Sequence, residues 1–162
     1  MPILALLLAG AVPPAPDCRA AQLRLSIDRA GGDFNGMSHS GMALSIRNVG
    51  HDCMLPALPK VVFQDARGRP LPAIRRAPLG MHPGPVMVPV RLAGGHRAEF
   101  TLRWVSGDVF SPGRSVRARG ITVQVGTGAL RVSLDATLYG EAGKPVNFDQ
   151  TPARAMEGMA AG

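Results

Sequence analysis

Aromatic residues are scarce: the chain has one Trp, one Tyr and five Phe. Proteins that hold single-stranded nucleic acid interleave aromatic stacking platforms with basic residues, and no such stretch occurs, so no nucleic-acid partner is expected. Long apolar runs are missing as well. The longest, Ile3 to Ala9, is too short to span a bilayer, and no transmembrane span is expected in the mature chain. Long amphipathic helices are not visible either. The sequence carries no HExxH, no phosphate-binding glycine loop and no paired carboxylates beside a cleft signal. Gly36-Met37-Ser38-His39-Ser40 stops one residue short of a nucleophile elbow, because its last position is Ser and no strand-turn-helix context surrounds it. Ser38 and His39 read as turn residues bonding the backbone. No catalytic residue is assigned, and the chain is not expected to be an enzyme.

What is abundant is glycine, proline and apolar residues: twenty Gly, fifteen Pro and 46% hydrophobic. That mixture favours short strands joined by turns, and 162 residues make one domain with room for a core. Period-2 alternation marks Leu23-Leu25-Ile27, Met42-Leu44-Ile46, Val61 to Phe63, and Ala98-Phe100-Leu102-Trp104. Ile121-Val123-Val125 turns through Gly126-Thr127-Gly128 into Leu130-Val132-Leu134, the clearest hairpin. Asn48-Val49-Gly50 and Asp65-Ala66-Arg67-Gly68 supply turn chemistry. Six prolines between residues 70 and 89 rule out a central strand there and read as an ordered loop, with Val86 to Leu92 as a weak edge strand. About seven strands and no helices give the expected architecture: an all-β, immunoglobulin-like, two-sheet antiparallel β-sandwich centred on Trp104.

Charge is one-sided, 18 basic against 11 acidic residues, or +7. Sixteen of the eighteen are arginine. They are scattered along the chain, as at Arg24, Arg47, Arg91, Arg103 and Arg131, and alternate with apolar residues, so they are expected to form a solvated basic surface. Ile3 to Ala9 has the length of a signal-peptide core, and Ala9-Gly10-Ala11 offers small residues for cleavage. No Lys or Arg precedes it, as expected of a truncated start. The expected layout is residues 1–17 signal peptide and short linker, 18–150 β-sandwich, 151–162 flexible tail. In the oxidising compartment this implies, periplasmic or secreted, the two cysteines, Cys18 and Cys53, are read as a disulfide.

Gly36-Met37-Ser38-His39-Ser40-Gly41, Leu44-Ser45-Ile46-Arg47-Asn48, Cys53-Met54-Leu55-Pro56-Ala57-Leu58-Pro59 and Phe63-Gln64-Asp65-Ala66-Arg67-Gly68 resemble the bacterial exported domain of unknown function 4232. Gly80-Met81-His82-Pro83-Gly84-Pro85-Val86 and Leu102-Arg103-Trp104-Val105-Ser106-Gly107 look like its proteobacterial branch. The likeness covers residues 18 to 150. It implies a secreted or lipid-anchored β-sandwich whose first cysteine bridges to the one after the Asn turn, and it implies no activity. Members of that branch look as though they carry a second cysteine pair where this sequence has Ser115 and Tyr139.

Two binding possibilities remain. Met37 and His39 in one loop and Met81 and His82 in another form a thioether and imidazole set that suits Cu(I) in an exported protein; Met42 shares a parity with Leu44 and reads as core. No other cofactor is expected. The proline-rich segment 70–89, or the Arg75-Arg76 pair, could contact another envelope protein or an anionic glycan. The expected role is a non-catalytic structural or binding module of the cell envelope, with a periplasmic copper-binding protein as the alternative.

Overall fold

The computed structural model describes residues 10–11, 13–29, 35–77 and 87–157. The apolar run at Ile3 to Ala9, the Met81-His82 pair and the middle of the proline-rich segment lie outside the described residues. Eleven strands follow one 3-10 turn at Ala20–Gln22: β1 (Leu23–Asp28), β2 (His39–Asn48), β3 (Cys53–Leu55), β4 (Lys60–Gln64), β5 (Ala73–Arg75), β6 (Val90–Leu92), β7 (Arg97–Val105), β8 (Gly113–Val125), β9 (Gly128–Glu141), β10 (Val146–Gln150) and β11 (Arg154–Met156). No helix among the described residues is long and apolar enough to cross a membrane.

The chain is all-β, as expected, but among the described residues the strands number eleven instead of about seven, in three hydrogen-bonded sheets. One runs β1-β2-β7-β10-β5 with β11 also on β7, one runs β4-β8-β9, and β3 pairs β6. All pairings are antiparallel except β5 with β10. The four strands not expected are β3, β5, β10 and β11: β3, β5 and β11 have three residues each, too few for alternation to show, and in the five-residue β10 only Val146 and Phe148 are apolar. β5 sits inside the segment expected to be loop, at the edge of its sheet, where neighbouring prolines cost no ladder bonds. The expected tail after residue 150 is also corrected over its described part. Thr151 donates its amide to Thr101 O at 3.0 Å, Ala153 is buried, and β11 pairs with the start of β7.

The alternating apolar residues of β2, β4, β7, β8 and β9 make one core. Phe63 of β4 packs edge-on against Trp104 of β7 and Phe148 of β10, with ring centroids 6.0 and 5.0 Å apart; it joins the six-stranded sheet to the three-stranded one. Trp104 is buried as expected, yet Phe63 is the ring that touches both others. The β8–β9 hairpin closes at Gly126, whose φ of 58° suits a two-residue turn between Val125 and Gly128. Ser115 and Tyr139 stand directly opposite each other in this hairpin, so a cysteine pair there would cross-link adjacent strands.

Cys18 and Cys53 form a disulfide, and both are buried. Cys53 opens β3 opposite Leu92 of β6, and Cys18 donates its amide to Met54 O at 2.9 Å. Beside the bridge, Asn48 is wholly buried. Its Nδ2 donates to Leu92 O and His51 O at 2.9 and 2.8 Å, while its Oδ1 accepts from Gly50 N and Gln22 Nε2 at 2.9 and 3.0 Å. Replacing it leaves buried donors and acceptors unmet, at about 1–3 kcal/mol for each group that water cannot reach. Asn48→Ala is expected to lower the unfolding free energy by about 2–4 kcal/mol in urea titrations; a midpoint equal to wild type would show that the network is dispensable.

Candidate functional site

β10 pairs with β7 only through Phe148↔Trp104, Asp149↔Arg103 and Gln150↔Leu102, although β7 continues to Val105. Where β10 leaves β7, the loop carrying Phe110 and the turn carrying Lys144 frame a cleft of about 250 Å³. That volume is below the usual range for drug-sized ligands and suits a small one. His39, Arg103, Trp104 and Tyr139 line its wall. Arg76 donates through Nε to Asp149 at 2.9 Å, and Lys144 pairs with Glu141. These carboxylates hold both cations protonated above their usual ranges, chiefly through the side-chain hydrogen bond in each case. Two of the cleft's three fixed positive charges are thus already neutralised. The third, Arg103, has no ion-pair or hydrogen-bond partner among the described residues, so the cleft carries one uncompensated positive charge. Trp104 contributes to the same wall but turns its ring to the core against Phe63, where its buried indole Nε1 is the one buried side-chain polar atom among the described residues without a hydrogen-bond partner.

A tight hairpin leads into the same cleft. Gly36 and His39 exchange backbone hydrogen bonds at 3.0 and 2.9 Å across Met37 and Ser38, whose φ values are 46° and 61°. Two successive left-handed residues define a primed turn, for which Asn-Gly is the favoured pair; a side chain at each position costs about 1–2 kcal/mol. The loop after β7 clamps this turn, since Ser38 O accepts from Ser106 N and Gly107 N at 2.8 and 3.2 Å. A Cβ on Gly107 would lie 2.9 Å from that of Ser38, so glycine is required there. Ser38 thus serves a hairpin, with no helix following it as a nucleophile elbow needs.

The structure brings Met37 and His39 together and leaves Met37 92% exposed. His39 Nδ1 lies 2.8 Å from Met37 O. A carbonyl can only accept, so Nδ1 carries the hydrogen and, in the neutral ring, Nε2 keeps the lone pair. Their expected companions, Met81 and His82, are outside the described residues. Met42 is fully buried in the core, in keeping with its parity. No group of three or more His, Cys, Asp or Glu positioned to hold a metal ion occurs among the described residues, and the disulfide occupies both sulfurs of Cys18 and Cys53. Of the Arg75-Arg76 pair, Arg76 is committed to Asp149. Sequence reasoning missed the cleft because Arg103, Tyr139, Lys144 and Asp149 meet only through strand register; the one legible signal was Trp104, the sole tryptophan.

The sequence model of a family described as Domain of unknown function (DUF4232) matches residues 18–157. No curated protein and no solved structure matches the chain.

The strain at the hairpin is open to measurement. Met37→Asn combined with Ser38→Gly is expected to raise the unfolding free energy by about 1–2 kcal/mol, by relieving left-handed backbone at two side-chain-bearing positions. Urea midpoints of the two proteins check it, and a destabilised variant would mean that those two side chains contribute more than their backbone costs.

Proposed function

The chain belongs to the family described as Domain of unknown function (DUF4232), and from that premise we propose that it is a non-catalytic binding module of the bacterial cell envelope, exported and oxidised after export. The buried Cys18 to Cys53 bridge supports the compartment, because structural disulfides persist where the surroundings are oxidising. We read the architecture as an immunoglobulin-like two-sheet sandwich. The six-stranded and three-stranded sheets are its layers, joined through Phe63, and the β3–β6 pair is an addition fastened by the bridge.

The observation that carries the binding role is Arg103, a cation on the wall of one small cleft with no ion-pair or hydrogen-bond partner among the described residues. A small organic anion would meet that need, because its carboxylate or sulfate pairs with the guanidinium. Because Trp104 is the only tryptophan, its fluorescence reports occupancy directly. Titration with succinate, glucuronate and sulfate is expected to give a saturable change in emission for at least one of them, lost in Arg103→Gln. No change with any of the three would remove the cleft as an anion site.

Copper(I) binding by Met37, His39, Met81 and His82 is the second reading, favoured by the His39 tautomer. Metal-bound imidazoles commonly donate their other ring N–H to a backbone carbonyl, which is what His39 does toward Met37 O. Competition titration with a Cu(I) chelator is expected to show tighter binding by wild type than by His39→Ala with His82→Ala; equal affinities would end this reading.

A further inference from the structure

Strand register assembles a row of like charges. Arg24 of β1 stands opposite Arg47 of β2, and Arg47 stands opposite Arg97 of β7. All three are exposed. Directly opposed residues on one sheet face have Cβ atoms about 5 Å apart, and like charges there destabilise the sheet. Little among the described residues offsets this. Arg24 donates only to the carbonyls of Ala21 and Leu23, and Arg97 reaches Glu99 at 4.0 Å, the limit of an ion pair. Arg47 has no hydrogen bond or ion pair among the described residues. In the neighbouring row Ser26, Ser45 and Glu99 stand side by side, with Arg154 of β11 beyond Glu99. Four arginines therefore share one carboxylate across these two rows.

We propose that this face docks on the phosphate headgroups of an anionic phospholipid membrane. The face is an open strand surface, so three neighbouring guanidiniums, each able to grip phosphate oxygens bidentately, meet a surface more readily than a molecule enclosed in a pocket. Their same-face neighbours Ala43 and Ser45 are small and let phosphates approach. Val49, two residues past Arg47 and 53% exposed, adds an apolar contact at the rim. No aromatic side chain belongs to these strand positions, which argues against stacking of nucleic-acid bases. The row lies at the opposite end of β7 from the cleft and does not depend on the cleft's occupant.

The full chain is sedimented with vesicles of phosphatidylcholine, with and without phosphatidylglycerol, at low ionic strength. Binding is expected only to the anionic vesicles and falls as salt is raised. Arg24→Gln, Arg47→Gln and Arg97→Gln together are expected to weaken partition on the order of 100-fold, about fivefold per arginine, while the corresponding triple Lys variant retains most of it. The triple Gln variant is expected to melt no lower than wild type, since a repulsive row has been removed; a melt well below wild type would contradict the assignment of that row as a stability cost borne for binding. Equal binding to neutral vesicles, or full binding by the triple Gln variant, overturns the proposal. So does selective displacement by inorganic phosphate over chloride at equal ionic strength, which would point to free phosphate, or retention of duplex DNA by wild type in the absence of vesicle binding.

Discussion

Two strands of three residues cannot hold each other in water; among the described residues β6 pairs only with β3, and β3 is flanked on its other side by residues 16–18, where Met54 donates to Pro16 O and accepts from Cys18 N. Their place in the fold depends on the covalent bridge from Cys53 to Cys18. With a sequence separation of 35 between the cysteines, the bridge removes roughly 3–4 kcal/mol of chain entropy from the unfolded state. Around it the polar groups converge. Asn48 ties the end of β2 to Leu92 of β6, and Asp52 accepts from Gly94 N at 3.1 Å and from Arg91 at 3.2 Å. Those bonds, the Gly94 amide first, hold the Asp52 carboxyl below its ordinary range. By fixing where β2 ends, this corner also fixes its register against β1 and β7. A one-residue slip would turn every core side chain of β2 to solvent, so both the core and the arginine row rest on the same corner.

The two surface features arise from opposite behaviour of β7. At its start the strand is paired on both sides, by β2 and β11, and its outward residues join a continuous sheet face. Toward its end β7 is still paired with β10 as far as Trp104, and the cleft opens where β10 then leaves it. Asp149 stands opposite Arg103 in the register but is held by Arg76 from the strap beyond β5. Arg103 is left over because its natural cross-strand partner is taken, which is how an excess of one charge arises in a cleft whose other groups are matched.

Alternation in the sequence reveals the elements that are long and half-buried. β1, β2, β4, β7 and the β8–β9 hairpin are all visible from apolar parity, and Gly68 and Gly126 adopt the positive φ that their turn positions suggest. Three-residue strands leave no periodic trace, so β3, β5 and β11 are invisible. Asn48 reads as a turn residue, which it is, but its burial follows from contacts with Leu92 and Gln22, each more than twenty residues away. The arginines show the same limit most clearly. Arg24, Arg47 and Arg97 are scattered along the chain, and only the β1–β2–β7 register makes them neighbours. The Met37 and His39 pair is legible because it is local.

Along β7, Arg97 and Arg103 are separated by roughly 20 Å at the rise of an extended strand. That distance is about two and a half Debye lengths at physiological ionic strength, so the charge of the row and the charge of Arg103 are largely screened from each other. A surface held at one end therefore neither fills nor electrostatically competes with the cleft at the other, while the rigid strand between them fixes where the cleft points. A continuous β-strand with a charged row at its head and a gap at its tail can hold a fold to a surface and still leave its ligand site open.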